Sequence, residues 1–180
     1  MLCVKVTFKQ RKPLRAFHYY LCTRHVRRWE INVKVSTKGR YGLRAIVDLA
    51  VHDKDGQVSL KCVAERQGLS ENYLEQLFSS LKKSGLVKSI RGAQGGYLLA
   101  KSAENISVGD VLRSLEGTLC PVDCIDLEMP VSCDKADYCV TATVWAKLRD
   151  KINEVVDSIS IADLVLEYES KTKNDYIYYI

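Results

Sequence analysis

The sequence predicts a mostly α-helical chain with a small β-hairpin wing: a winged helix-turn-helix followed by a long dimerisation helix. Three observations predict it. Three amphipathic segments, the second and third of them capped, follow one another between residues 38 and 85. A Gly-rich hairpin comes directly after the third. A seam of aliphatic residues then recurs at intervals of 4, 4, 3 and 4 from Val144 to Ile159.

From Lys38 the pattern is helical, with Tyr41, Ala45, Ile46, Leu49 and Ala50 on one face. Asp53-Lys54-Asp55-Gly56 ends that segment with turn residues. Ser59 is placed to cap a short second helix whose Leu60, Val63 and Ala64 point inward, and Gly68 stops it. Cys62 in that helix reads as a buried structural thiol. Ser70 caps a third helix, with Glu71 in its positive first turn. Leu74, Leu77, Phe78 and Leu81 form the buried stripe of this helix, and Gly85 ends it. Its opposite face carries Asn72, Tyr73, Glu75, Gln76, Ser79 and Lys82. Two helices joined around a Gly, the second bearing long polar side chains, describe a helix-turn-helix.

Leu86 to Ile90 reads as a strand, Arg91-Gly92-Ala93-Gln94-Gly95-Gly96 as a tight loop, and Tyr97 to Ala100 as the returning strand. The glycines allow backbone to approach a sugar-phosphate wall while Arg91 reaches a groove. The same glycines would serve a plain hairpin turn. The loop lacks the Lys-Ser/Thr of a P-loop and opens no helix, which argues against a nucleotide-binding enzyme.

Ser107 begins a short helix, Val108 to Glu116, with Val111, Leu112 and Leu115 inward and Gly117 at its end. A loop of four cysteines follows: Cys120, Cys124, Cys133 and Cys139. Nothing marks the chain for export, so a disulfide framework has little support. Zinc sites favour paired C-x2-4-C hooks, and only Cys120 and Cys124 make one. An iron–sulfur cluster accepts looser spacing. Redox-active thiols remain a further reading. A long amphipathic helix runs from about Thr141 to Ser158, and its near-heptad seam of Val144, Leu148, Ile152, Val155 and Ile159 suits pairing with a second copy or packing on its own domain. Ser160 caps a last helix, Ile161 to Glu169, followed by a tail over 170–180.

Charge divides the 180 residues unevenly. Residues 1–33 carry 8 Lys/Arg and 1 acid, residues 34–101 carry 12 and 6, and residues 102–180 carry 7 and 15. The winged segment is therefore basic and the C-terminal part acidic, as expected if only the first meets a polyanion. With 47% hydrophobic and 27% charged residues the composition is that of globular domains, and no apolar run approaches the roughly 20 residues of a membrane span. The leader 1–32 shows no sustained period and no secretory pattern. It is either a basic arm or, as we expect, not part of the working protein. Arg27-Arg28-Trp29 is encodable as a purine-rich string like a bacterial ribosome-binding site, a few codons before a Val33 that can be a GTG start.

From Lys34 to about Leu166 the sequence resembles the Rrf2 family of bacterial winged-helix transcription regulators. The stretches that carry the resemblance are STKGRYGLRAIVDLA, AERQGLSENYLEQLFSSLKKSGLV, RGAQGGYLLA and CVTATVW. It implies a cytoplasmic, non-enzymatic, homodimeric repressor that binds palindromic double-stranded DNA. Asn72, Tyr73, Glu75 and Gln76 would lie on the recognition helix, Arg91 in the wing, and Ser36, Lys38 and Arg40 near the DNA backbone. In IscR-like members three cysteines bind a [2Fe–2S] cluster, and these map to Cys124, Cys133 and Cys139. The His that supplies their fourth ligand is replaced here by Ala142. Cys120, Asp123, Asp126, an external thiol or a residue of the partner subunit are the substitutes. The resemblance thus implies a sensor of iron–sulfur status that controls cluster-assembly genes. Its rivals are a nitric-oxide or redox sensor of NsrR type and a cluster-free regulator of cysteine metabolism of CymR type acting through a partner enzyme. A zinc-binding interaction module is the reading from another class.

Overall fold

The computed structural model describes residues 35–53, 56–92, 95–127 and 132–175. The leader, the wing-tip residues Ala93 and Gln94, and the last five residues lie outside these. The helices are α1 (Thr37–His52), α2 (Leu60–Gln67), α3 (Glu71–Lys83), α4 (Val108–Glu116), α5 (Ala142–Asp157) and α6 (Ile161–Asp175), and the strands are β1 (Val87–Ile90) and β2 (Gly96–Leu99).

The starts of α1 to α4 share one device. Ser36, Ser59, Ser70 and Ser107 sit in extended backbone and accept from the amides of Lys38, Cys62, Tyr73 and Asp110. Each satisfies a helix N–H that would otherwise lack a partner. At α4 the Asp110 carboxylate also accepts from the Ser107 N–H at 3.0 Å, completing a capping box. Gly68 ends α2 at φ +64°, backbone that a side chain disfavours, so the chain turns at once into α3.

The two strands pair antiparallel, Val87 opposite Leu99 and Ile90 opposite Gly96. Val58, from the loop between α1 and α2, exchanges hydrogen bonds with Tyr97 at 2.9 and 2.8 Å and extends the hairpin by one bridge. A Cβ on Gly96 would lie 2.6 Å from the Val58 carbonyl, so the bridge requires glycine there.

Ile46, Leu49, Val63, Leu74, Phe78 and Leu81 are removed from water, and Ile106, Val111 and Ile161 join the same cluster. Each such side chain contributes about 1.5–3 kcal/mol of burial. Helices α4 and α6 therefore complete the winged-helix core. Phe78 meets Tyr97 edge-on at 4.9 Å and carries that core to the wing. The starts of α4 and α6 lie side by side: Ser107 bridges Ser160, Val108 N–H donates to the Ile159 carbonyl, and Ile161 N–H to the Ile106 carbonyl. From the end of α4 the chain leaves this core through the cysteine loop and α5, and it returns at the start of α6.

The buried Asp48 carboxylate accepts three bonds from Arg66, the shortest at 2.7 Å, and one from Gln67 at 3.2 Å, fastening α2 to α1. The hydrogen bond to Asp48 holds the Arg66 guanidinium above its ordinary value.

Two expectations are corrected. Cys62 is exposed, not buried. It stands two residues from Leu60, and positions i and i+2 do not share a helix face. The last helix does not stop at Glu169 but runs to Asp175. No Gly or Pro interrupts that stretch, and Lys171 pairs with Glu167 one turn back.

Candidate nucleic-acid interface

Helix α3 turns Leu74, Leu77, Phe78 and Leu81 inward, which leaves Asn72, Glu75, Gln76, Ser79 and Lys83 on one exposed polar face. Tyr73 is different. Its half-buried ring meets Tyr41 of α1 edge-on at 6.3 Å. The Arg40 and Arg44 guanidinium groups lie 5.1 and 5.8 Å from the centre of the Tyr41 ring. Cation–π attraction at that range contributes about 0.5–1 kcal/mol where water has access, and it orients both cations. The two tyrosines thus join the first turns of α1 to the start of α3.

Lys82 closes the other end of α3 by donating to the Ser89 hydroxyl in β1, so its charge sits at the base of the wing. Arg91 is exposed where β1 ends, before Gly92 at φ +132°. Gly95 N–H closes the turn onto the Gly92 carbonyl at 2.9 Å. Lys38 and Arg40 are exposed at the start of α1. Ser36 is half-buried, and its hydroxyl accepts from Lys38 N–H at 3.0 Å while donating to Glu116 at 2.5 Å. That long-range partner has no local signal in the sequence, since 80 residues separate the pair.

The cysteine loop leaves α4 at Gly117 and reaches α5 through two short 3-10 turns, Asp123–Ile125 and Ala136–Tyr138. Cys120, Cys124, Cys133 and Cys139 are free thiols. Cys124 and Cys133 are exposed, whereas Cys120 and Cys139 are half-buried. The Cys139 sulfur lies 3.4 Å from the Thr141 hydroxyl. That hydroxyl, helped by the N–H groups of Ala142 and Thr141 at the start of α5, holds the Cys139 thiol below its ordinary value. Arg149 of α5 donates to the Ile125 carbonyl at 2.9 Å and pins the first 3-10 turn against the helix. Asp123 is exposed and Asp126 buried.

Among the described residues no three Cys, His, Asp or Glu side chains converge on one point. In chemistry the donor set fits an iron–sulfur group: the loop between α4 and α5 carries four soft thiol donors, two of them open to solvent. Of the seam predicted from the sequence, Val144, Leu148 and Val155 face outward at 55%, 39% and 57% exposure, whereas Ile152 is half-buried and Ile159 lies half-buried beyond the end of α5. Among the described residues no helix is long and apolar enough to cross a membrane.

Residues 35–167 match the Rrf2 family, described as an iron-dependent transcriptional regulator. The HTH-type transcriptional regulator CymR of Bacillus subtilis (strain 168) is 43% identical over 148 residues, covering 82% of this chain and all of that protein. Its solved structure, described as the global cysteine regulator, superposes with a TM-score of 0.63 at 42% identity, over 74% of this chain and 97% of that one. The HTH-type transcriptional regulator IscR of Yersinia enterocolitica is 41% identical over 148 residues, 79% of this chain and 88% of that protein. The T. potens IscR structure gives a TM-score of 0.63 at 51% identity, over 77% of this chain and 90% of that one. These relatives are transcription regulators, not enzymes. A basic winged helix-turn-helix that matches them over most of its length places this chain in the Rrf2 family of DNA-binding transcription regulators.

Proposed function

We propose that this regulator acts as a homodimer on palindromic duplex DNA and senses iron–sulfur status through a [2Fe–2S] cluster, repressing cluster-assembly genes. The observation that carries the reading is the set of four free thiols in the loop between α4 and α5. Cys124, Cys133 and Cys139 are the proposed ligands, with Cys120 or Asp123 the nearest substitutes for a fourth. When bound, the cluster supplies an oxidisable group whose loss reports iron and oxygen stress. Arg149 holds the loop against α5, so a change in the loop meets the helix that pairs the two subunits. The exposed seam of α5 supports that pairing, and two-fold symmetry would present two recognition helices to two half-sites.

On the DNA, Asn72, Tyr73, Glu75 and Gln76 belong to the helix that enters the major groove. There Glu75 would accept from a cytosine amino group, since a carboxylate repels phosphate. Lys38 and Arg40 contact phosphate, with Ser36 bracing their turn, and Arg91 reaches from the wing into the minor groove.

Anaerobic reconstitution with iron and sulfide tests the reading. The protein should become coloured, and Cys124→Ala, Cys133→Ala and Cys139→Ala should each abolish the visible chromophore. Cys120→Ala should alter its stability without removing it. A second reading follows from the equal likeness to the global cysteine regulator of B. subtilis: a cluster-free regulator of cysteine metabolism that works through a partner enzyme. Protein that stays colourless under these conditions while still binding DNA would favour it.

A further inference from the structure

Glu116 is the last residue of α4, and the chain enters the cysteine loop immediately after it. Its Oε1 accepts three hydrogen bonds from the start of α1: from the Ser36 N–H at 3.2 Å, the Ser36 hydroxyl at 2.5 Å and the Gly39 N–H at 2.8 Å. Helix α1 has no acidic residue in its own first turn, so this carboxylate supplies the negative charge that its positive end favours. Hydrogen bonds to an ionised acceptor are roughly twice as strong as neutral ones. The approach depends on glycine, because a Cβ on Gly39 would stand 2.5 Å from that oxygen and 3.2 Å from Leu112 Cδ2. One turn earlier α4 is tied to α5, where Arg113 contacts Asn153 and Asp157.

One short helix therefore touches the cysteine loop, the seam-bearing helix and the turn that presents Lys38 and Arg40. We propose that Glu116 is a positioning residue that transmits the state of the cysteine loop to the phosphate-facing first turn of α1. The proposal rests on the loop being the effector site. A rearrangement of the loop pulls on Gly117 and withdraws the carboxylate. Two N–H groups and a hydroxyl then lose their acceptor, and the turn carrying Lys38 and Arg40 loosens.

The test compares operator affinity of the reconstituted and the chelator-stripped full chain. Wild type should differ between the two states by about 5–150-fold, the usual range of coupling between sites. Glu116→Ala should keep the wild-type chromophore while its ratio falls to within about twofold of one. Glu116→Gln, which keeps an acceptor oxygen without the charge, should give an intermediate ratio. Gly39→Ala, which displaces the carboxylate without altering it, should behave like Glu116→Ala. A wild-type ratio in Glu116→Ala overturns the proposal, and so does loss of the chromophore, which would make Glu116 a ligand. If Glu116→Ala fails to fold, Glu116→Gln decides: a wild-type ratio in that variant overturns the coupling. A ratio of one in the wild type itself would instead reject the loop as effector site.

Discussion

The two halves of this molecule are finished to different degrees. In the winged-helix half, Ile46, Leu49, Leu74 and Phe78 are wholly buried, and Asp48 has Arg66 and Gln67 as partners. In the excursion between Gly117 and Ser160, α5 has no buried residue, and Val144, Leu148 and Val155 of its aliphatic seam face solvent. A helix with an unburied apolar stripe is stable only when something covers it, since propensity alone rarely sustains 16 residues. The first half thus closes its own core, whereas among the described residues the second leaves an apolar stripe on α5 uncovered.

The sharpest way to break this contrast is to empty the core. Phe78→Ala should cost about 3–5 kcal/mol, because a fully buried ring is lost and its contact with Tyr97 goes too. Urea unfolding followed by circular dichroism would measure it; a cost as small as that of an exposed site would mean that the core is not where the buried side chains put it. Leu148→Glu should do the opposite. It should leave monomer secondary structure intact while weakening self-association by about 2 kcal/mol or more, the scale of an interface hot spot. Sedimentation velocity reads the loss, and an unchanged dimer would remove the seam from the interface.

On the DNA side, Arg91→Ala should cost about 1–3 kcal/mol if the side chain reads a groove, or flatten the salt dependence by about one phosphate contact if it does not. Glu75→Ala should relax sequence choice rather than lower all affinities together. Competition against shuffled operators at two salt concentrations distinguishes these. The smallest effect belongs to the junction of the halves. Ser160 donates through its hydroxyl and N–H to the Asp163 carboxylate, at 2.7 and 2.9 Å, and holds it below its ordinary value. A carboxylate lowered on folding contributes stability that is full above the ordinary value of 3.8 and disappears as pH falls through the lowered one. Ser160→Ala should therefore lower Tm slightly at neutral pH, and the difference from wild type should shrink on acidification.

The same contrast explains what could be read from the chain. The caps Ser59, Ser70 and Ser107, the stripe Leu74-Leu77-Phe78-Leu81 and the Gly-rich hairpin all act within a few residues of one another, so spacing reveals them. Cys62 was equally legible but is misjudged by hydropathy alone: its offset from Leu60 turns it outward, and a thiol's apolar character does not change that. The Glu116 contact with Ser36 and the bridge from Val58 to Tyr97 join residues far apart in the chain, and no local pattern encodes them. Nor does spacing report which thiols meet, because loop cysteines take their positions from the elements at either end of the loop.

Gly39 and Gly42 lie one turn apart on the face of α1 that meets α4, and a methyl group at Gly42 would overlap Leu115. The consequence is evolutionary. These positions are coupled: alanine at 42 displaces the Leu115 side chain, and alanine at 39 displaces the Glu116 carboxylate from the start of α1. Across a deep set of descendants the pairs 42–115 and 39–116 should change together, leaving a record of the α1–α4 contact in sequences whose structures have never been determined.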